Sequence, residues 1–343
     1  MITLSALDQS PIAEGSTAVE ALQQTARLAA ELDKWGYHRF WVSEHHHAAH
    51  LAGTSPEVLI SHLAAKTSRI RVGSGGVMLP HYSAYKVAEN FRLLEALYPN
   101  RIDLGLGRAP GGMPLSTRAL QEGKVHGGID QYPDQLDDLI DYLHDSIGED
   151  HPYAGLRAMP LIETAPELWL LGSSDESGGL AAQRGAAFAF AHFINGFGGT
   201  DVMRTYRRSF RPSVLGAVPR TMVAVFAFCA ETEEEANRLA SSLDLSILLR
   251  EKGMGRRGGV PTVEEAMAYP YTEHDKLRVR ENRKRMIVGT KEQVKQRIVQ
   301  MSEEYEADEF MIVTITHDFA AKLRSYRLLA EAFGLPGVAG ADA

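Results

Sequence analysis

The chain has 343 residues, 44% of them hydrophobic and 23% charged, and a formal net charge of −8. That composition belongs to a globular protein and excludes a disordered or collagen-like one. The acidic balance argues against nucleic acid, whose binders carry a basic footprint, and the single cysteine, Cys229, excludes an intrachain disulfide.

The first residues have neither the basic nor the apolar segment of a signal peptide, and no stretch is long and apolar enough to span a bilayer. A cytoplasmic protein with no membrane partner is expected. Residues 2–7 read as a strand. A helix follows over 17–35, with Val19, Leu22, Ala26, Ala29 and Ala30 at helical spacing and Gly36 as its stop. A strand over 38–43 leads to a helix opened by Ser55 and Pro56. Then come strand 70–77 with helix 83–97, and strand 102–107 with a helix over 134–143. Strand 168–171 precedes helix 175–184, and strand 187–193 precedes helix 200–210. Strand 221–229 is followed by helix 231–249, and strand 309–315 by helix 318–333.

Eight strand–helix units in strict order predict an α/β protein with parallel strands and helical crossovers. Eight is also the number at which such a sheet closes, so the expected fold is a (β/α)8 TIM barrel. A doubly wound open sheet is the alternative, but residues 8–15 do not form its phosphate-binding glycine turn. Two stretches break the rhythm: a glycine-rich loop over 109–130 and a charged insert over 250–282, long inserts of the kind that are functional lids or disordered segments. One domain is expected over 1–335, with 336–343 a frayed tail. The basic run over 278–285 is interrupted by Glu281 and reads as a solvated helix face.

In such barrels chemistry gathers at the C-terminal strand ends. The second strand ends in Glu44-His45-His46-His47, with His50 close behind. The third ends in glycines, and Gly75 and Gly76 fit a flat ring lying against the main chain. The fourth ends in Gly107-Arg108, whose planar guanidinium suits phosphate. The fifth ends in Gly172-Ser173-Ser174 and opens a helix carrying Ser177, an anion site of free amides and hydroxyls. Against this stand Asp175 and Glu176, unless they point away. His192 closes the sixth strand and His317 the eighth. A rival reading takes His45, His47, His192 and His317 as zinc ligands of a barrel hydrolase, but it leaves the glycines and the anion site unused. No metal is therefore expected. Tyr82, Phe193 and Phe197 are candidate walls for an apolar organic substrate.

Taken in order, Phe40-Trp-Val-Ser-Glu-His-His-His47, Val72-Gly-Ser-Gly-Gly-Val-Met-Leu-Pro80, Arg101-Ile-Asp-Leu-Gly-Leu-Gly-Arg108, Leu168-Trp-Leu-Leu-Gly-Ser-Ser174 and Val288-Gly-Thr-Lys-Glu-Gln-Val294 resemble the signatures of the bacterial luciferase-like flavin monooxygenases. The resemblance covers nearly the whole chain. It implies a homodimeric barrel that takes reduced FMN from a separate NAD(P)H reductase, with the deazaflavin F420 replacing FMN in some relatives. Oxygen adds at the flavin C4a position, and the peroxyflavin oxidises a small organic substrate. By position, Glu44, His45 and His46 match the catalytic segment, with His45 as general base or hydrogen-bond donor. Gly75 and Gly76 match the wall behind the ring, where relatives carry a non-proline cis peptide. Arg108, Ser174 and Ser177 match the phosphate clamp. Gly107, Gly172, Ser173 and His192 complete the expected cofactor contacts. Gly107 stands where the luciferase α-chain has a reactive cysteine, and Ser173 where it has an acid, so light emission is not implied. F420-dependent hydride transfer and a non-enzymatic flavin-binding role are the alternatives.

Overall fold

The computed structural model describes residues 2–124, 130–254 and 259–337. Most of the expected tail, from 338 onward, and parts of both irregular stretches, 125–129 and 255–258, lie outside the described residues. The strands are β1 (Thr3–Asp8), β2 (Arg39–Val42), β3 (Arg71–Ser74), β4 (Val77–Met78), β5 (Ile102–Gly107), β6 (Glu167–Gly172), β7 (Ala187–Ala191), β8 (Thr221–Ala230), β9 (Met286–Thr290) and β10 (Glu309–Val313). The helices are α1 (Ala18–Trp35), α2 (Pro56–Lys66), α3 (Ala84–Leu97), α4 (Pro114–Leu120), α5 (Tyr132–His144), α6 (Asp175–Arg184), α7 (Gly199–Ser209), α8 (Glu233–Glu251), α9 (Val263–Ala268), α10 (Glu273–Arg283), α11 (Lys291–Tyr305) and α12 (Phe319–Phe333).

All pairings among these strands are parallel, and the sheet runs β10-β1-β2-β3-β5-β6-β7-β8 before closing through β8 and β10, where Met222 pairs with Glu309 and Val313 with Phe226. This is the expected eight-stranded barrel. Two things differ from the expectation. The third strand breaks at Gly75–Gly76 and resumes as β4 beside β5. A ninth unit, β9 with α11, stands outside the eight expected; it lies along the upper half of β8, pairing Phe226 through Ala230 with Met286 through Thr290.

Strand residues alternate between two cores, as a pleated strand requires. Leu4, Ala6, Phe40, Val42, Val72, Leu104, Leu106, Phe188, Phe190, Val223 and Ile312 face the helices. Leu7, Trp41, Trp169, Ala187, Ala189, Met222, Ala224, Met311 and Val313 fill the barrel. The floor of that interior is ionic. Arg39, 1% exposed, donates to Asp103 Oδ2 (2.9 Å), Glu167 Oε2 (2.9 Å) and Glu309 Oε1 (2.8 Å). Trp41 Nε1 donates to the same Asp103 oxygen at 2.8 Å, and Arg220 reaches Glu167 at 2.8 Å. Gly73 leaves the room for this, since a Cβ there would stand 2.5 Å from Asp103 Cβ. Against its partial burial, the charges of Arg39, Arg220 and Arg71 hold Glu167 down at about 2.

Part of the insert over 250–282 is anchored to the barrel's outer helices. α10 packs back on α8, with Arg283 Nε donating to Asp244 Oδ1 at 2.7 Å and Arg278 Nη2 to Glu251 Oε1 at 3.0 Å. The basic run does lie on a helix, as expected.

Arg39→Met should cost about 3–5 kcal/mol in urea unfolding, because removing one partner strands buried carboxylates; an unchanged midpoint would show the network to be inessential. Glu167 has a folded-state pKa below its ordinary value of 4.5, so its contribution is complete above about that pH and is lost as the pH falls towards 2.

Candidate active site at the barrel mouth

Strands β2, β3, β5 and β6 are consecutive in the barrel wall, so their C-terminal ends stand side by side at the mouth. Beyond β2, Glu44 turns inward and is fully buried. Its Oε1 lies 2.6 Å from His46 Nε2 and accepts from the Tyr82 hydroxyl at 2.6 Å, while Oε2 accepts from the Met78 amide at 2.9 Å. One carboxylate thus fixes an imidazole, a phenol and the restart of the broken third strand. The carboxylate beside Tyr82 adds to its burial in raising the phenol well above its usual range.

His45 takes the opposite course. Its amide donates to Gly53 O at 3.0 Å and its Nδ1 lies 3.1 Å from Ser43 Oγ, while Nε2 has no hydrogen-bond partner among the described residues. Burial, helped by the neighbouring charges of His50, Arg250 and His46, pushes its pKa down to about 4. The imidazole is therefore neutral at physiological pH, with one nitrogen anchored and one available.

The wall between them is backbone. Gly75–Gly76 is a cis peptide. A Cβ on Gly75 would stand 2.8 Å from Leu7 Cδ1, and one on Gly76 2.8 Å from Gly105 O. The missing side chain of Gly75 would enter the packed barrel and that of Gly76 would strike the main chain of β5, so only glycine lets the two strands lie this close.

On the far side, Arg108 at the end of β5 lies 2.8 Å from Asp130 Oδ2 and 2.5 Å from Glu176 Oε1. Glu176, in the first turn of α6, does not point away as the anion reading preferred; its carboxylate holds the guanidinium that a phosphate would seek. Ser174 caps α6, accepting from Ser177 N at 3.4 Å, and the two hydroxyls are 3.2 Å apart. A Cβ on Gly172 would collide with Ser177 Oγ at 2.2 Å, and one on Gly107 would stand 2.9 Å from Met78 Sδ. Both glycines serve close approach. Ser173 is half-buried on the link between β6 and α6.

Hydrogen bonds between loops stitch the rim together. Ile12 N donates to His50 O (2.9 Å), Ala52 N to Ser10 O (2.9 Å) and His46 N to Gly111 O (2.9 Å). The insert is pinned to the same rim, with Val260 N donating to Ile12 O (2.8 Å) and Glu14 N to Val260 O (2.9 Å). Gly259, at φ +89°, makes this possible, for a Cβ would stand 2.3 Å from Ile12 O.

Three expected positions fall elsewhere. His192 follows β7, whose Ala187 and Ala189 face inward, and lies against the helix layer, edge-on to Tyr305 at 5.9 Å. Phe197 is 74% exposed on that same outer side, because it sits on the loop before α7 rather than on a strand end. Tyr82 is a partner of Glu44 before it is a wall. Phe193 does cover the barrel interior, packing on Phe226 at 5.2 Å. The four histidines of the zinc reading do not converge. His47 is exposed at φ +54°, His192 faces outward and His317 Nε2 bonds Glu14 O at 3.0 Å. Among the described residues no three His, Cys, Asp or Glu side chains form a metal-binding group.

The family model described as luciferase-like monooxygenase matches residues 2–308. The uncharacterised protein YwcH of Bacillus subtilis is 60% identical, with 97% of this chain and 99% of that one covered. The N-acetyl-S-alkylcysteine monooxygenase of the same species is 42% identical over 97% of this chain and 98% of its own. Among solved structures, apo-MsnO8 superposes with a TM-score of 0.88 at 39% identity, covering 97% and 98% of the two chains. The oxygenating constituent of 3,6-diketocamphane monooxygenase from Pseudomonas putida, solved with FMN, shares the fold at 19% identity and TM-score 0.72, over 98% and 99% of the chains.

The state of His45 is directly measurable. Its ring nitrogens should report a neutral imidazole by NMR from pH 8 down to pH 5, titrating near 4; a midpoint near the ordinary 6.5 would remove the desolvated environment described above.

Proposed function

The chain belongs to the luciferase-like monooxygenase family and is an oxidoreductase, and we propose that it binds FMN at the barrel mouth and uses dioxygen to oxidise a small organic substrate. The observation that carries this reading is the order of groups along four consecutive strand ends: a neutral imidazole, a flat backbone wall, a guanidinium and a helix N-terminus. FMN is a flat ring with an anionic tail, and this order provides one feature for each part.

Gly75 and Gly76 would back the ring. Arg108, Ser174 and Ser177 would hold the phosphate, with Gly107, Gly172 and Ser173 giving the backbone room to approach. Reduced FMN, when bound, would supply the electrons that activate dioxygen. His45 would hold or move a proton at Nε2, and Ser43 keeps its other nitrogen in place. Glu44 orients His46. The pinned insert helps to exclude water. The substrate would rest against Phe193 and Phe226. A separate NAD(P)H flavin reductase, a homodimeric state and a cytoplasmic location complete the proposal. The relative named for N-acetyl-S-alkylcysteine supports a small organic substrate.

Titrating the purified protein with oxidised and with anaerobically reduced FMN tests this. Reduced FMN should bind more tightly, and admitting oxygen should give a transient absorbance distinct from oxidised flavin. Binding of F420 but of neither FMN form would replace the proposal with hydride transfer in the same pocket. Arg108→Ala should weaken FMN binding by roughly 1.5–3 kcal/mol, the range for hydrogen bonds to charged groups; unchanged affinity removes it from the clamp. His45→Ala should keep flavin binding and lose turnover, and full activity would reject its catalytic role.

A further inference from the structure

Residues 47–53, on the way from β2 to α2, form no helix or strand of their own. Yet they fold back so that Gly53 O accepts from the His45 amide at 3.0 Å. Among the described residues, two hydrogen bonds tie this segment to a distant part of the chain. Ala52 N donates to Ser10 O and Ile12 N to His50 O, both at 2.9 Å, across an antiparallel bridge of Pro11 with Leu51. Both end on the loop after β1. The placement of the imidazole is therefore referred, through main chain, to that loop.

Ser10 makes the turn there. Its φ is +50°, a left-handed conformation that a residue with a Cβ keeps only where its surroundings over-determine it. They do so through Asp8, the last residue of β1. Asp8 Oδ1 accepts from the Ser10 amide and from Lys322 Nζ on α12, each at 3.0 Å. Thr25 Oγ1, on α1, lies 3.2 Å from Asp8 Oδ2 and 2.9 Å from Ser10 Oγ. All four side chains are buried. A buried ion pair adds little net stability over apolar residues of the same size. What an apolar pair could not do is accept the Ser10 amide and hold the turn.

We propose that Asp8 is a positioning residue for His45: by fixing the left-handed turn at Ser10 it places the Ser10 carbonyl, with it Ala52 and Gly53, and through the Gly53 carbonyl the main chain that carries the imidazole. Lys322 and Thr25 orient the carboxylate. These partners belong to α12 and α1, in the helix layer, so Asp8 acts through the loop and not from within the pocket. The two supports of His45 then divide the work. Ser43 sets the rotation of the ring at Nδ1, and the Gly53 bond sets where the ring stands. The functional meaning of this rests on the reading of His45 as the proton-handling group.

The test compares two double variants of the full chain, Asp8→Asn with Lys322→Met and Asp8→Leu with Lys322→Met. Both lack the ion pair and neither leaves a buried charge alone. The Asn variant keeps an oxygen for the Ser10 amide and the Leu variant does not. The readouts are the His45 ring titration and the exchange of its amide hydrogen, both by NMR. The Asn variant should keep the parent's midpoint near 4 and its slow exchange. The Leu variant should raise the midpoint by about one unit or more, towards the ordinary 6.5. It should also speed exchange of the His45 amide by about tenfold or more, as local opening becomes easier, while Trp41 Nε1 at the barrel floor exchanges as in the parent. An unchanged His45 in the Leu variant overturns the proposal, and so does an equal change in both variants. Should the Leu variant not fold, the parent decides: the amides of Ser10, Ala52 and His45 should share one protection, as parts of a unit that opens together, and unequal protection overturns the proposal. None of these readouts needs flavin, so a failure here and a failure of the FMN titration are separate results.

Discussion

The lower half of the barrel is organised by one buried guanidinium. Arg39 rises from β2 and meets carboxylates from β5, β6 and β10, residues 64, 128 and 270 positions away in sequence. Buried ion pairs add little net stability, because desolvation offsets attraction, yet they are costly to break. Such a network acts chiefly on stagger: a strand that slips by one residue turns its side chains to the other face and strands a charge in the interior. With the floor held in register, the four strand ends that carry His45, the glycine wall, Arg108 and Ser174 arrive at the mouth at fixed heights.

The upper half is held differently. There the constraints are main-chain hydrogen bonds between loops, and glycines that allow backbone to approach backbone. Glu44 is the side-chain exception there, since one carboxylate secures His46, Tyr82 and the amide of Met78. This division leaves His45 with one ring nitrogen anchored and the other uncommitted. Orientation from one nitrogen and freedom at the other is what a proton-handling group requires.

Much of this was legible in the sequence, and the reasons differ by element. The eight strand–helix units were readable because helical spacing and short apolar runs alternate over the whole chain, and the barrel followed from their number. β9, as long as β7 and β10, was the strand left out of the count of eight units. α4 lay hidden in a glycine-rich loop and α9 in the charged insert, whereas α10 showed in part as the basic helix face. The residues at the ends of β2, β3, β5 and β6 were legible as strand-end residues because a strand end is a local feature. His192 was misplaced for the same reason: one residue past the end of β7, the side chain faces outward, and the inward or outward turn depends on where the strand stops. The floor network could not be read at all, since nothing local ties Arg39 to Asp103, Glu167 or Glu309. The same limit applies to Glu176, whose grip on Arg108 is a contact between neighbouring strand ends.

The short stitch at Gly259–Val260 has a further consequence. It joins the insert to the loop after β1, and that loop in turn touches the segment carrying His45 and His50. The insert and this rim are therefore joined by a seam of backbone hydrogen bonds, with the Val260 side chain buried in the barrel-interior cluster behind it. The bonds of the seam do not depend on the side chains of α9 and α10, which can change without opening it. Position 259 has no such latitude, because any Cβ there would meet the Ile12 carbonyl.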